Sequence, residues 1–262
     1  GTNSRLRLPH LQLKPETTVD EVIRQTGWTL LGHSQQLVEH YRFSGQWRYF
    51  RELVEQLDQL RAYFSVFDLA LPRSASQAFV AALNDMLNYL QPLYLAGWSD
   101  DEQGQAARAE APAIIARLAS ERAWGQLFLG LALWLQQQAW KTDRPPRGER
   151  MAALPLERWI LSATSQEIQT LRVPHNNDAD HQVSEWCDQL PRLQRLHFPL
   201  SQFRRTLAAT ETDRLFGELN KLQELLQKVS HVDAAQRDAL IAMLRKQGQR
   251  IRRLPAWREL NQ

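Results

Sequence analysis

Apolar side chains recur at intervals of three and four residues along most of this sequence. Residues with this spacing share one face of a helix, so the pattern predicts amphipathic helices. Alternation of apolar and polar positions, which is typical of a strand, is confined to Arg5–Leu13. The clearest helical stripe lies in segment 46–71 and consists of Phe50, Leu53, Val54, Leu57, Leu60, Phe64 and Phe67. The sequence therefore predicts an all-α fold.

Capping and breaking residues set the predicted helix boundaries. Thr18 and Glu21 form a capping-box pattern before the first helix, and Gly45 ends that helix. Pro92 is predicted to kink or end the third helix, and Pro255 to stop the last one. The predicted helices cover residues 19–43, 46–71, 74–91, 105–119, 120–140, 154–171, 182–199, 200–210, 211–229 and 233–254, with polar breaks at 141–150 and 174–180.

The 262 residues fit one or two domains of about 150 residues each. The break that contains Pro145 and Pro146 is the predicted boundary between two helical halves, 18–150 and 151–262. Residues 1–17 are predicted to form an extended linker or terminal segment. Because the chain starts within this segment, we expect it to be a fragment of a longer protein.

Composition restricts the class of protein and the cellular compartment in which we expect it. A hydrophobic fraction of 43% excludes general disorder, and the single cysteine, Cys187, excludes an internal disulfide. The longest apolar run, Leu127–Leu135, is well short of the ~18 residues that a transmembrane helix needs. We therefore expect a cytoplasmic protein that has no membrane partner.

Arginine dominates the basic residues, with 27 arginines among 32 lysines and arginines, although the net charge is only +3. The planar guanidinium suits phosphate oxygens, but a GC-rich genome also raises arginine content. Pairs with i, i+3 spacing occur in two predicted helices, and such pairs share a helix face. The candidate anion-binding residues are Arg48, Arg51, Arg61, Arg192 and Arg195.

A second basic cluster lies near the end of the chain, where segment 237–259 has a net charge of +5. On a helix these residues would present rows of positive charge. A polyanion bound there would release counterions and bind with strong salt dependence. The alternative is an ordinary solvated surface with acidic neighbours elsewhere.

Motifs of known catalytic chemistry are absent from the sequence. It has no glycine-rich phosphate loop, HExxH, CxxC or G-x-S-x-G motif. His175 and His181 flank a loop rich in asparagine and aspartate that could hold a metal, but such loops are usually solvated turns. We predict no catalytic residue, no metal and no cofactor, and a free-standing helical enzyme is the least supported class.

Two segments resemble the signature helix of the CHAD family, the conserved-histidine α-helical domain. Laid side by side, FRELVEQLDQLRAYFSVF at 50–67 and VSEWCDQLPRLQRLHFPL at 183–200 share one Glu, one Gln and two Leu positions. Both are similar to the family pattern V-H-Q-L-R-V-A-L-R-R-L-R-S-A-L-R-L-F, which occurs twice in each member. Segment 219–229, LNKLQELLQKV, resembles a further family segment.

Other features resemble the C-terminal half of gammaproteobacterial CYTH–CHAD inorganic triphosphatases, over residues 16–262. These features are Thr18-Val-Asp-Glu21, Leu60–Phe67, Pro72-Arg73, Asp188–Leu193 and Pro255-x-Trp257. The resemblance implies two pseudo-symmetric four-helix bundles around a basic groove. It also implies inorganic polyphosphate or another polyanion as ligand, and an N-terminal CYTH catalytic domain as partner.

The sequence departs from the family pattern at the signature histidines, where Arg51 and Ser184 stand instead. Only Arg61 and Arg192 match basic positions of the motif residue by residue. These departures keep a second function open, a structural domain that docks or orients the catalytic half without binding anions. Charge alone also leaves a general RNA-binding module open. Specific nucleic-acid binding is not expected, because we find no aromatic platform with interleaved basic residues and most tryptophans fall on apolar faces.

Overall fold

The structure, a computed structural model, describes residues 11, 13–14, 16–172, 179–203, 210–229 and 234–260. These residues form helices and connecting turns and contain no strand, which confirms the all-α class. The helices are α1 Val19–Ser44, α2 Trp47–Val66, α3 Arg73–Ala96, α4 Glu102–Ser120, α5 Arg122–Gln137, α6 Pro146–Ala152, α7 Leu156–Thr170, α8 Ala179–Gln202, α9 Thr210–Val229, α10 Ala234–Arg252 and α11 Pro255–Leu260, with short 3-10 helices at Asp68–Ala70 and Ala139–Lys141.

Local sequence signals place the first helix correctly. The Thr18 side chain accepts a hydrogen bond from the Glu21 backbone N–H at 3.2 Å, as the capping box predicts. Gly45 ends α1 in the left-handed conformation, with φ 62°, which a residue without a Cβ adopts at little cost. The predicted end at residue 43 is therefore within one residue of the observed one.

Several predicted helix bounds differ from the structure. The second predicted helix, 46–71, ends as α2 at Val66 before a 3-10 turn, and four other differences occur at prolines. Helix α3 continues through Pro92 because Leu93 and Tyr94 extend its buried stripe, and α8 likewise continues through Pro199 to Gln202. Part of the predicted break at 141–150 is helical, since α6 begins at Pro146. Pro255 starts α11 rather than only stopping α10. Proline at the first helical position costs no helical hydrogen bond, because a backbone N–H at that position would have no partner within the helix.

Several predicted features lie wholly or partly outside the described residues. They are the terminal segment 1–17, the polar loop 174–180, the helix 200–210 and the N-cap at Asp233.

The chain forms two compact units, residues 1–156 and residues 157–262. In the first unit α1 packs on α2, α4 and α5, and α3 packs on α2, α4 and α5. Its core is rich in aromatic rings, and the buried Tyr63 hydroxyl donates to the Ile23 carbonyl at 2.7 Å. Gly27 lets α1 approach α5 closely, since a Cβ there would lie 2.5 Å from Leu135 Cδ2.

In the second unit α9 packs on α8, α10 and α11. The Gln189 side chain joins α8 to the end of α7, because its amide donates to the Arg172 carbonyl at 2.7 Å and accepts from the Arg172 N–H at 2.5 Å. The Ser165 hydroxyl donates to the Leu260 carbonyl at 2.6 Å, which ties α7 to the end of α11. The predicted pseudo-symmetry of the two halves stays a prediction.

Candidate functional site

The five predicted anion-binding arginines lie on two helices, one in each unit. Arg48, Arg51 and Arg61 are on α2, and Arg192 and Arg195 are on α8. The local contacts of each arginine decide whether its positive charge is available to a ligand or is used within the fold. The basic groove that the resemblance to the CHAD family implies stays a prediction.

The start of α2 is held by a close contact with the end of α3. The Trp47 ring stacks on Phe50 with centroids 4.6 Å apart, and it also lies against Gly97. A side chain at Gly97 would overlap the Trp47 ring, so the residue there must be small. This packing places Trp98, the next residue, beside the first turns of α2.

Arg48 and Arg51 both stack on aromatic rings. The Arg48 guanidinium lies 4.5 Å from the centroid of Tyr49 and donates to the Tyr49 hydroxyl at 2.6 Å. The Arg51 guanidinium lies 4.4 Å from the centroid of Trp98. A guanidinium that stacks uses its flat face, so its in-plane N–H groups can still donate hydrogen bonds, as Arg48 does to Tyr49. Both side chains are half-buried, so ring contact fixes them before any ligand binds.

Among the described residues, Arg51 has no carboxylate within ion-pair distance, and its buried Nε has no hydrogen-bond partner. The first turn of α2 also has no acidic residue, and the N-cap residue Gln46 makes no side-chain capping bond. Helix N-termini carry partial positive charge and favour anions. Two arginines in the first two turns of α2 therefore add positive charge to this end of the helix.

Arg61 is used within the fold. Its guanidinium pairs with Asp58, which is 3% exposed, and donates to Asn84 Oδ1 on α3 at 3.0 Å. A buried carboxylate needs such a partner, because leaving it unpaired costs several kcal/mol, on the order of 3–5. Arg61 thus offsets a charge of the protein itself.

The two arginines of α8 also differ in whether a carboxylate of the protein pairs with them. Arg195 Nε lies 3.5 Å from Glu167 Oε2 on α7, and both side chains are largely covered. Arg192 donates to the Thr170 carbonyl at 2.8 Å, at the end of α7, and forms no ion pair with a described residue. Of this pair, only Arg192 keeps its charge uncompensated by a described carboxylate.

The basic cluster at 237–259 lies on α10 and α11. Ile241, Leu244 and Ile251 form the buried face of α10, and Arg245, Lys246 and Arg253 are on the exposed side. Arg250 Nε lies 3.4 Å from Glu218 Oε2. Arg250 and Arg252 are in the last turn of α10, where the helix dipole stabilises cations. The ion pair with Glu218 and the helix dipole therefore account for Arg250 and Arg252 without a ligand.

Burial shifts the pKa of two histidines, His197 and His33. His197 on α8 packs on Phe216 with ring centroids 4.8 Å apart, and burial lowers its pKa to about 4. Burial also lowers the pKa of His33 on α1. Both rings are therefore neutral near pH 7.

Phe43 is a residue that the sequence reading missed, because it was placed simply as the last residue of the first helix. Its side chain is 96% exposed, far more than any other large apolar residue among those described. The signal was present in segment 41–51, YRFSGQWRYFR, where arginines and aromatic residues alternate. Aromatic rings interleaved with basic residues are typical of nucleic-acid-binding surfaces.

Within the described part of the chain, no group of three or more His, Cys, Asp or Glu residues is arranged to hold a metal ion. No helix within those residues is long and apolar enough to cross a membrane.

Comparison of the chain with protein-family models, curated proteins and solved structures finds no match. The resemblance to the CHAD family therefore depends on the motifs quoted above.

Proposed function

We propose that this chain is a non-catalytic polyanion-binding domain, and that its first unit binds the anion at Arg48 and Arg51. Inorganic polyphosphate is the proposed ligand, since the resemblance to CHAD domains implies it. By the same resemblance, the domain is accessory to an inorganic triphosphatase whose CYTH half is catalytic.

The observation that carries the proposal is the state of Arg51. Its guanidinium lies over the Trp98 ring, 4.4 Å from the ring centroid, and forms no ion pair with a described residue, although it lies near the positive end of a 20-residue helix. Arg48 lies in the first turn of the same helix, where a cation destabilises the helix by about 0.3–1 kcal/mol. A phosphate bound between Arg51 and Arg48 would remove this repulsion and would accept charge-assisted hydrogen bonds.

Arg61 and Arg195 are left out of the proposed site. Each lies against a carboxylate of the protein, Asp58 and Glu167 respectively. A ligand phosphate would have to displace these carboxylates, and Asp58 is buried. Arg192 is the remaining candidate in the second unit.

The test is binding of long-chain polyphosphate to the full chain across a salt series, by calorimetry or by anisotropy of an end-labelled polymer. We expect binding that weakens steeply as salt rises, because bound arginines release counterions. The variant R48Q/R51Q should bind more weakly and with a shallower salt dependence.

A matched control is R147Q/R150Q, which removes two exposed arginines with the same spacing from α6. It changes the net charge equally, so its binding should stay close to that of the parent. The proposal is wrong if no binding is detected at low salt, or if both double variants lose affinity to the same extent.

A second function is favoured by a specific observation, the internal pairing of Arg61 and Arg195. These pairs suit a structural domain that docks or orients a catalytic half without binding anions. Such a domain would raise the thermal stability of a CYTH catalytic domain when the two are mixed. The effect would be the same with or without polyphosphate, which distinguishes it from the first function.

A further inference from the structure

The turn between α1 and α2 displays an aromatic ring to solvent. We call residues 40–51 the α1–α2 tip. The left-handed Gly45 reverses the chain there, and the His40 and Tyr49 rings meet edge to face at 5.4 Å. The last turn of α1 therefore lies beside the first turn of α2. Phe43, in that last turn, is 96% exposed and has almost no intramolecular packing.

Positive charge surrounds this ring along the chain. The tip contains Arg42, Arg48 and Arg51 and no aspartate or glutamate. Arg42 does lie 3.7 Å from Glu39, one turn earlier in α1, but both side chains are more than half exposed. An ion pair this exposed contributes less than about 1 kcal/mol, so Arg42 can exchange Glu39 for a phosphate.

Inorganic polyphosphate has no apolar or aromatic part that could contact Phe43. A single-stranded nucleic acid has such a part, since every base has a flat face that stacks on an aromatic ring. A base stacked on the phenyl ring would remove apolar surface from water, which is favourable. The tip therefore has both groups that recognise a single strand, a ring for a base and guanidinium groups for its phosphates.

We propose that the α1–α2 tip binds single-stranded nucleic acid without sequence preference, with a base stacked on Phe43 and phosphates on Arg42, Arg48 and Arg51. The proposal rests on the anion site proposed above, because it assigns Arg48 and Arg51 to the same role. Base stacking and phosphate contacts do not involve the hydrogen-bonding edges of the bases. This binding therefore differs from sequence-specific nucleic-acid binding, which the sequence does not predict.

An anionic membrane surface is a less suitable partner for this tip. Peripheral binding to lipid needs a broad apolar face, because the apolar area inserted sets its strength. Phe43 is the single large apolar side chain exposed within the tip, since Tyr41 and Phe50 are buried and Trp47 packs on Phe50. One ring is enough to stack a base but is too small to anchor the domain.

The test compares ligands on the full chain by fluorescence anisotropy at low salt. The ligands are labelled oligothymidylate and oligouridylate, an abasic sugar-phosphate strand of equal length, and inorganic polyphosphate. We expect F43A to bind the oligonucleotides about tenfold more weakly, and to bind the abasic strand and polyphosphate as the parent does. F43W should keep the oligonucleotide affinity, because indole also stacks on bases.

The matched control is L129A, which removes another exposed apolar side chain (63% exposed) from α5. It should leave binding of every ligand unchanged. Both alanine variants should keep a melting temperature close to that of the parent, since both side chains are mostly exposed.

The outcomes separate the two proposals. Binding of polyphosphate without binding of oligonucleotides overturns this inference and leaves the proposed function standing. Binding of oligonucleotides that depends on Phe43, without binding of polyphosphate, supports the inference and overturns polyphosphate as the ligand. The inference is also overturned if F43A loses affinity for all ligands to the same extent. It is likewise overturned if F43A abolishes binding to phosphatidylserine vesicles while oligonucleotide binding persists.

Discussion

Arg144 and Asp20 lie 124 residues apart in the sequence and form an ion pair, with Arg144 Nη1 3.3 Å from Asp20 Oδ2. The Arg144 side chain is 1% exposed. The Trp140 indole N–H donates to the same carboxylate at 3.0 Å. The segment that follows α5 is thereby attached to the first turn of α1, although its prolines suggested an independent break.

The first prediction is that D20N destabilises the protein by about 3 kcal/mol, because it leaves a buried guanidinium without its main counter-charge. Urea unfolding followed by circular dichroism at neutral pH measures this. The control is E149Q, since Glu149 contacts the same guanidinium at 3.1 Å but is itself 71% exposed. That change should cost less than about 1 kcal/mol. Equal losses in the two variants would show that Asp20 is not the main partner.

The second prediction concerns the contact that positions the candidate site. G97A should destabilise the protein by about 1–3 kcal/mol, because the added methyl overlaps the Trp47 ring and forces α2 away from α3. It should also weaken polyphosphate binding, since Arg51 stacks on the adjacent Trp98.

The control for this change is G125A in α5, where an added Cβ meets no atom within 4 Å. Alanine is a better helix former than glycine, so G125A should be neutral or stabilising. Melting temperatures of the two variants provide the comparison. A G97A protein as stable as G125A would mean that the Trp47 ring moves aside without cost.

The third prediction is a loss of stability as the pH falls from about 6.5 to about 4. Burial lowers the pKa of His197 to about 4, so in this range the unfolded chain binds a proton that the folded chain does not. A shift of this size corresponds to a free-energy loss on the order of 3 kcal/mol. The lowered pKa of His33 acts in the same direction.

Urea unfolding of H197F at several pH values tests this, because phenylalanine keeps the ring packing on Phe216 and cannot titrate. The slope of unfolding free energy against pH should be smaller in H197F than in the parent. An unchanged slope in H197F would assign the pH dependence to other groups.

The fourth prediction concerns Glu218, which is buried between α9 and α10. Gln247 Nε2 donates to its Oε2 at 2.6 Å, and Lys221 Nζ lies 3.2 Å from its Oε1. Burial alone would raise the pKa of this carboxyl, but these hydrogen bonds and the charges of Lys221 and Arg250 outweigh burial and lower it. Glu218 therefore contributes stability above its unfolded pKa that is lost as pH falls through the lower folded value.

We expect E218Q to cost about 1–3 kcal/mol at pH 7, because charge-assisted hydrogen bonds become neutral ones and an added donor is buried. Thermal unfolding at pH 7 measures the loss. R250Q removes an exposed partner of the same carboxylate and should cost less than about 1 kcal/mol. A larger loss in R250Q than in E218Q would contradict this assignment.

Part of the candidate site was predictable from the sequence. The i, i+3 spacing of Arg48 and Arg51 was enough to place both residues on one α2 face. Their aromatic supports were not predictable, because Trp98 is 47 residues from Arg51 and reaches it only through the packing of α3 on α2. The pairing of Arg195 with Glu167 depends in the same way on α7 lying beside α8.

The sequence by itself determined the all-α class, the limits of α1 and the buried stripe of α2. These features depend on residues within about one helical turn of one another, where capping bonds and the helical period act. The tertiary structure alone decided that α3 and α8 continue through proline, that Arg61 and Arg144 neutralise internal carboxylates, and that Phe43 remains uncovered. Each of these outcomes depends on which surfaces of distant segments pack together, and spacing along the chain does not encode that choice.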